Sequence, residues 1–131
     1  MLLKFEQKHK AVVLLIESLG FQRYLTALKY AQAVVGNSSS GIFEAASYKT
    51  PTVQIGERQQ GRLQSKTVIN VAIDGDIVES INEAAIMKNS SSVDWSNPYG
   101  DGHSAEKIVS ILCSDDFPKN NKKYFFDIEN R

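Results

Sequence analysis

Apolar and polar positions alternate along this chain with two different periods. Val12–Ile16 is an unbroken apolar run, the pattern of a strand covered on both faces of a parallel sheet. Phe21, Tyr24, Leu25, Leu28 and Ala31 then recur at three and four residues, which predicts an amphipathic helix over about 21–31. Ala33–Val35 reads as a second short strand. Ile42, Ala45 and Ala46 carry the next helix, which Thr50-Pro51 ends because the residue before proline is pushed out of the α region. Thr52–Ile55 is a third strand, Gly56–Gly61 a loop, and Thr67–Val71 a fourth strand. Asp74–Met87 places Ile77, Ile81, Ala84 and Ala85 on one helical face, with Asp76 and Glu79 at a start suited to acidic residues. Asn89–Ser92 is a polar linker, Asn97–Gly102 a turn cluster and Ser104–Cys113 a last helix.

Strands alternating with helices predict an α/β fold, a Rossmann-like parallel sheet with right-handed crossovers. The expected organisation is one partial domain over residues 1–113 and a polar tail over 114–131, closed by Tyr124-Phe125-Phe126. A chain of 131 residues suits such a small domain with a modest core. Its 15 basic and 15 acidic residues cancel, so no basic face for nucleic acid is expected. No apolar run approaches a membrane span, and Met1–Lys10 is polar rather than signal-like. The single cysteine, Cys113, ends a helical pattern and reads as a buried, inert thiol, which suggests a cytoplasmic setting. His9 and His103 lack partners at ligand spacing, so neither a metal nor another cofactor is expected.

The chemistry concentrates in Gly36-Asn37-Ser38-Ser39-Ser40-Gly41-Ile42-Phe43-Glu44, directly after the second strand. In open α/β sheets the carboxyl ends of the strands are where ligands bind. Gly36 and Gly41 allow tight, φ-positive backbone close to a ligand. Ser38, Ser39 and Ser40 offer hydroxyls, any of which caps a helix opening near Gly41. Free N–H groups at that helix start suit a phosphate. Glu44, on the first turn, is placed to accept bonds from a pair of ribose hydroxyls. The stretch is neither a P-loop nor the spaced-glycine dinucleotide fingerprint, and an ordinary serine-rich capped turn explains it about as well as a nucleotide diphosphate site. Two further clusters shift that balance. Gly56-Glu57-Arg58-Gln59-Gln60-Gly61-Arg62 follows the third strand and brings two fork-shaped, permanently charged guanidinium groups to the same end of the sheet. Asn97-Pro98-Tyr99-Gly100-Asp101-Gly102 precedes the last helix, and by itself reads as a β-turn with a cap.

Together, in this order, the three clusters resemble the C-terminal part of the hydrolysing UDP-N-acetylglucosamine 2-epimerases of the bacterial sialic-acid pathway type. The resemblance runs through Ser18-Leu19-Gly20, Tyr24-Leu25, Val35 to Ile42, Glu44-Ala45, Lys49 to Val53 and Ile55-Gly56. It continues through Arg58-Gln59, Gly61-Arg62, Val68-Ile69, Asn97 to Gly102 and Lys122 to Ile128. It implies part of the C-terminal domain of a two-domain GT-B-type fold, with the nucleotide sugar between two Rossmann-like halves. On that resemblance Ser38 and Ser39 hold the diphosphate, Gly41 starts the phosphate-facing helix, Glu44 takes the uridine ribose, and Arg58 lies beside the phosphates. The implied partner is UDP or UDP-N-acetylglucosamine. The family's chemistry eliminates UDP across C2 of the sugar and adds water, giving N-acetylmannosamine and UDP.

The family also carries an N-terminal domain with carboxylates and a basic residue of the elimination, and a histidine early in the second domain. The present chain has no match to these, and His9, which precedes a strand, is not assigned that role. No catalytic residue is therefore expected here, and the chain is expected not to run the reaction alone. The alternatives are the UDP-sugar half of another GT-B-type glycosyltransferase, or a non-catalytic remnant serving as a binding or assembly module. Val12–Ile16, left as an apolar edge strand, predicts self-association to a homo-oligomer, most simply a two-fold dimer.

Overall fold

The computed structural model describes residues 1–114. The chain divides into two compact units, Met1–Tyr99 and a second beginning at Gly100. The first unit holds helix α1 (Leu2–Lys8), helix α2 (Gly20–Tyr30), strand β1 (Val34–Gly36) and the short helix α3 (Ser40–Phe43). A 3-10 turn (Ala45–Tyr48), strands β2 (Thr52–Ile55) and β3 (Val68–Val71) and helix α4 (Ile77–Lys88) complete it. The second unit holds helix α5 (Ser104–Leu112). The aromatic cluster Tyr124–Phe126 lies outside the described residues.

The sheet has three parallel strands in the order β1-β2-β3. Val35 is level with Val53, and Val53 in turn with Ile69. The central strand is hydrogen-bonded on both sides and carries the core: Val53 is fully buried, as are Ile42 and Ala84, with Ala45, Ala46 and Leu28 close behind. Because successive side chains alternate faces, Thr52 and Gln54 share one face and Val53 lies on the other. Thr52 donates from Oγ1 to the Gly41 carbonyl at 2.8 Å, which pins α3 to that face. A Cβ on Gly41 would stand 2.6 Å from Thr52 Cγ2. Gly41 is thus required for close packing, whereas positive φ occurs at Gly36 (φ 150) and is absent at Gly41.

The opposite end of the sheet is tied by polar groups. Buried Thr50 donates to the Leu28 carbonyl at 2.7 Å. Lys88 Nζ, from the end of α4, donates to the Lys49 carbonyl at 2.7 Å and to Thr50 Oγ1 at 2.9 Å. Burial lowers the Lys88 pKa from its usual range. Helix α4 starts as its sequence signals, with the Asp76 carboxylate accepting from Glu79 N–H at 2.8 Å.

Three expectations need correction. Val12–Ile16 is not a strand. It leaves α1 through bonds from Val12 and Val13 N–H to the His9 carbonyl, and Leu15 N–H donates to Glu6 Oε1 at 2.7 Å. These local bonds take donors that a ladder would need, and Val12 and Leu14 stay 83% and 78% exposed. Among the described residues β1 is therefore an edge strand of the sheet. Helix α1 itself went unpredicted, since Met1–Lys10 read only as a polar start. Second, the helix after the serine loop is broken: Glu44 sits at φ −114, ψ −39 between α3 and the 3-10 turn, at a C-cap instead of in a first turn. Third, Cys113 is exposed. It follows α5, whose Ile108, Val109, Ile111 and Leu112 are all more than half exposed.

Candidate functional site

The serine loop leaves β1 at its carboxyl end, beside the carboxyl end of β2. The three serines do different things. Ser38 Oγ accepts from Ser40 N–H at 3.3 Å and closes the turn. Ser40 Oγ donates to Glu44 Oε2 and is also hydrogen-bonded to the Tyr24 hydroxyl, so it orients the carboxylate from below. The Ser39 hydroxyl makes no cap bond to the helix it precedes. Among the described residues the N–H groups of Ser38 and Ser39 have no protein acceptor, whereas Gly41, Ile42 and Phe43 N–H are all engaged. Two backbone donors and the hydroxyl protons of Ser38 and Ser39 are thus available for an anion among the described residues. Helix α3 has only four residues, so discrete donors rather than a summed dipole make this spot attractive to negative charge.

The arginine loop comes to the same place. Arg58 Nη1 lies 3.4 Å from the Asn37 carbonyl oxygen and 3.5 Å from Asn37 Oδ1, immediately before Ser38. Gln59 Nε2 donates to that same carbonyl at 2.9 Å. Arg62 lies over the Phe43 ring, 5.6 Å from its centroid, a cation–π arrangement. Neither guanidinium has a carboxylate partner among the described residues. Asn97 and Tyr99 close the group: Asn97 Nδ2 donates to the Phe43 carbonyl and to Ser47 Oγ, both at 2.8 Å. The Tyr99 ring meets Phe43 edge-on at 4.4 Å, and its hydroxyl donates to the Leu63 carbonyl at 3.0 Å.

A cavity of about 420 Å³ opens beside the arginine loop, lined by Gly56, Glu57, Gln60, Arg62 and Asn70 among others. A larger one, about 710 Å³, lies along Leu14–Phe21 and Tyr24 and is mostly apolar. The smaller has Arg62 and Glu57 in its wall, whereas Ser38, Ser39, Glu44 and Arg58 do not line it.

Ser38, Ser39, Gly41, Glu44 and Arg58 are thus neighbours in one group at one end of the sheet. Sequence reasoning missed the roles of Tyr24, Asn37 and Gln59. Tyr24 fitted the apolar face of α2, and its hydroxyl was the one signal that it needed a polar partner. Among the described residues no His/Cys/Asp/Glu group able to hold a metal is formed, and no helix is long and apolar enough to cross a membrane.

The three-stranded parallel sheet, with loops at the carboxyl ends of its strands, defines a Rossmann-like domain fragment. Residues 1–113 match the family described as UDP-N-acetylglucosamine 2-epimerase, and the chain belongs to that family. It is 38% identical over 115 residues to "Polysialic acid biosynthesis protein P7" of Escherichia coli, covering 85% of this chain and 29% of that protein. It is 46% identical over 68 residues to a "GDP/UDP-N,N'-diacetylbacillosamine 2-epimerase (hydrolyzing)" of Campylobacter jejuni, covering 52% of this chain and 18% of that protein. A UDP-N-acetylglucosamine 2-epimerase of Neisseria meningitidis is 31% identical over 96 residues, covering 72% and 26% of the two chains. The chain therefore spans less than a third of the length of these relatives.

Proposed function

We propose that this chain supplies the UDP-binding part of a hydrolysing UDP-N-acetylglucosamine 2-epimerase, with residues 1–113 as a partial domain and 114–131 as its tail. The observation that carries the reading is the meeting, at one sheet end, of Ser38 and Ser39 N–H groups without a protein acceptor among the described residues, Arg58 held only by Asn37 among those residues, and the oriented Glu44. Ser38 and Ser39 take the diphosphate, with Arg58 moving onto it from Asn37. Glu44, set by Ser40 and Tyr24, accepts from the ribose hydroxyls. Gly41 lets α3 lie close enough to Thr52 to hold this arrangement.

The names of the relatives are compatible with this reading. One is named for GDP/UDP-N,N'-diacetylbacillosamine and another for UDP-N-acetylglucosamine. Both names include UDP, one with GDP as an alternative, and they differ in the sugar. In the complete reaction UDP departs by elimination across C2 of the sugar, and water then adds. A departing diphosphate gathers charge, which fixed amide donors and a guanidinium stabilise. The acid–base groups of the elimination are assigned to parts of the enzyme other than this segment, so the chain alone is expected to be inactive. A cytoplasmic setting and self-association through the exposed apolar start of the chain complete the reading.

Titration with UDP, followed by backbone amide shifts, tests it. Perturbation confined to Asn37–Glu44 and Arg58 at millimolar UDP is expected, weak because a small ligand binds well only when largely enclosed. No perturbation there overturns the reading.

A further inference from the structure

Gln59 sits between Arg58 and Gln60, yet unlike them it is buried, with 2% of its surface exposed. A withdrawn carboxamide is costly unless its polar atoms are bonded. Its Nε2 donates to the Asn37 carbonyl at 2.9 Å, while its Oε1 has no partner among the described residues. Gln54, on the β2 face shared with Thr52, is equally buried, with both amide atoms unpartnered. The carboxyl end of β2 and the loop after it thus accept a polar cost that packing alone would not require.

The Asn37 carbonyl oxygen has two lone pairs, and two donors use it. Arg58 is the exposed one, at 3.4 Å; Gln59 is the buried one, at 2.9 Å. A phosphate at the serine loop draws Arg58 away, because a charge-assisted bond is stronger than one to a neutral carbonyl. Gln59 stays. The Asn37 carbonyl and the Ser38 N–H belong to one planar trans peptide and point in opposite directions. Whatever fixes the carbonyl therefore aims the N–H, and the Ser38 N–H is one of the loop's two unengaged donors.

We propose that Gln59 is a positioning residue of the diphosphate site: by holding the Asn37 carbonyl it keeps the Ser38 N–H aimed at the phosphate after Arg58 has left. This rests on the reading that the serine loop binds a nucleoside diphosphate.

Gln59→Met, of similar length but without the N–H donor, tests it, with Gln59→Asn as a second variant that keeps the amide and withdraws it by one methylene. Val53 amide signals report that each variant is folded. The affinity for UDP is expected to fall about fivefold in Gln59→Met, within the range of one lost neutral hydrogen bond, while that for uridine is unchanged. Backbone order at Ser38, measured by ¹⁵N relaxation on the UDP-saturated chain, where Arg58 has left Asn37, is expected to fall while that at Val53 holds. A purely structural role would lower the melting temperature and leave the UDP-to-uridine ratio and Ser38 order as they are. That result in both variants overturns the proposal alone. Absence of UDP binding by the unsubstituted chain overturns the functional reading and this proposal with it.

Discussion

Residues 12–16, all apolar, and 52–55, half apolar, are both short segments with strand composition, and they end in opposite states. Thr52, Val53 and Gln54 are nearly inaccessible and paired to strands on either side. Val12 and Leu14 are mostly exposed and join no strand among the described residues. The difference lies in the neighbours more than in the residues themselves. A strand's backbone groups need partners, and β2 finds β1 and β3 within easy reach in sequence, while Val12–Ile16 meets its nearest acceptors in His9 and Glu6. The apolar content that makes β2 a core makes residues 12–16 a sticky surface.

A charge in each segment gives the largest contrast. Val53→Asp should abolish the cooperative unfolding transition, since an unpaired buried charge costs on the order of 3–5 kcal/mol. Leu14→Asp should leave the urea midpoint within about 0.5 kcal/mol of the parent, as an exposed substitution does. Comparable losses would show that residues 12–16 are part of the core after all.

Gly41→Ala probes the contact beneath the serine loop, where the added carbon would stand 2.6 Å from Thr52 Cγ2. Overpacking of this kind costs about 1–3 kcal/mol, and UDP shifts at Ser38–Ser39 should shrink as well. Unchanged stability would mean that α3 is less firmly seated on β2 than the Thr52 bond implies.

Ser39→Ala should weaken UDP but not uridine, by about 1–3 kcal/mol for a lost bond to a charged group. Glu44→Gln should weaken both, because the ribose is common to the two ligands. Isothermal titration with each ligand separates these outcomes, and equal losses in the Ser39 variant would break the assignment. At the other region, Leu14→Lys should shift sedimentation toward monomer. A chain already monomeric would remove the self-association drawn from the exposed start.

The smallest effect concerns Asp94, whose carboxylate accepts from Ser96 N–H at 3.0 Å and pairs with Lys66 at 3.0 Å, just before β3. The backbone bond first, and Lys66 second, hold its pKa at about 2 instead of 3.8. A lowered folded-state pKa contributes stability that is complete above pH 3.8 and lost as pH falls through about 2. Asp94 is exposed, so the change in unfolding midpoint should be slight. Carboxyl ¹³C titration checks the pKa itself, and in Lys66→Met it should move up but stay below the ordinary value.

Local pattern was enough to determine much of this protein. Three strands at or within one residue of Ala33–Val35, Thr52–Ile55 and Thr67–Val71, the helix ending near Ala31 and the cap at Asp76 follow from periodicity, proline and capping chemistry, which act over a few residues. The grouping of Ser38, Ser39, Gly41, Glu44 and Arg58 followed as well, because parallel strands deliver their carboxyl-end loops to one side. Tertiary structure alone decided the rest. Whether Val12–Ile16 became a strand depended on a pairing partner that no local pattern encodes. What sets Ser40 apart from its two neighbours includes a bond to Tyr24, 16 residues away in sequence. The tie between Gln59 and Asn37 spans 22 residues. Such bonds are chosen by which side chains the fold brings within 3 Å of one another, and composition or spacing carries no record of that distance.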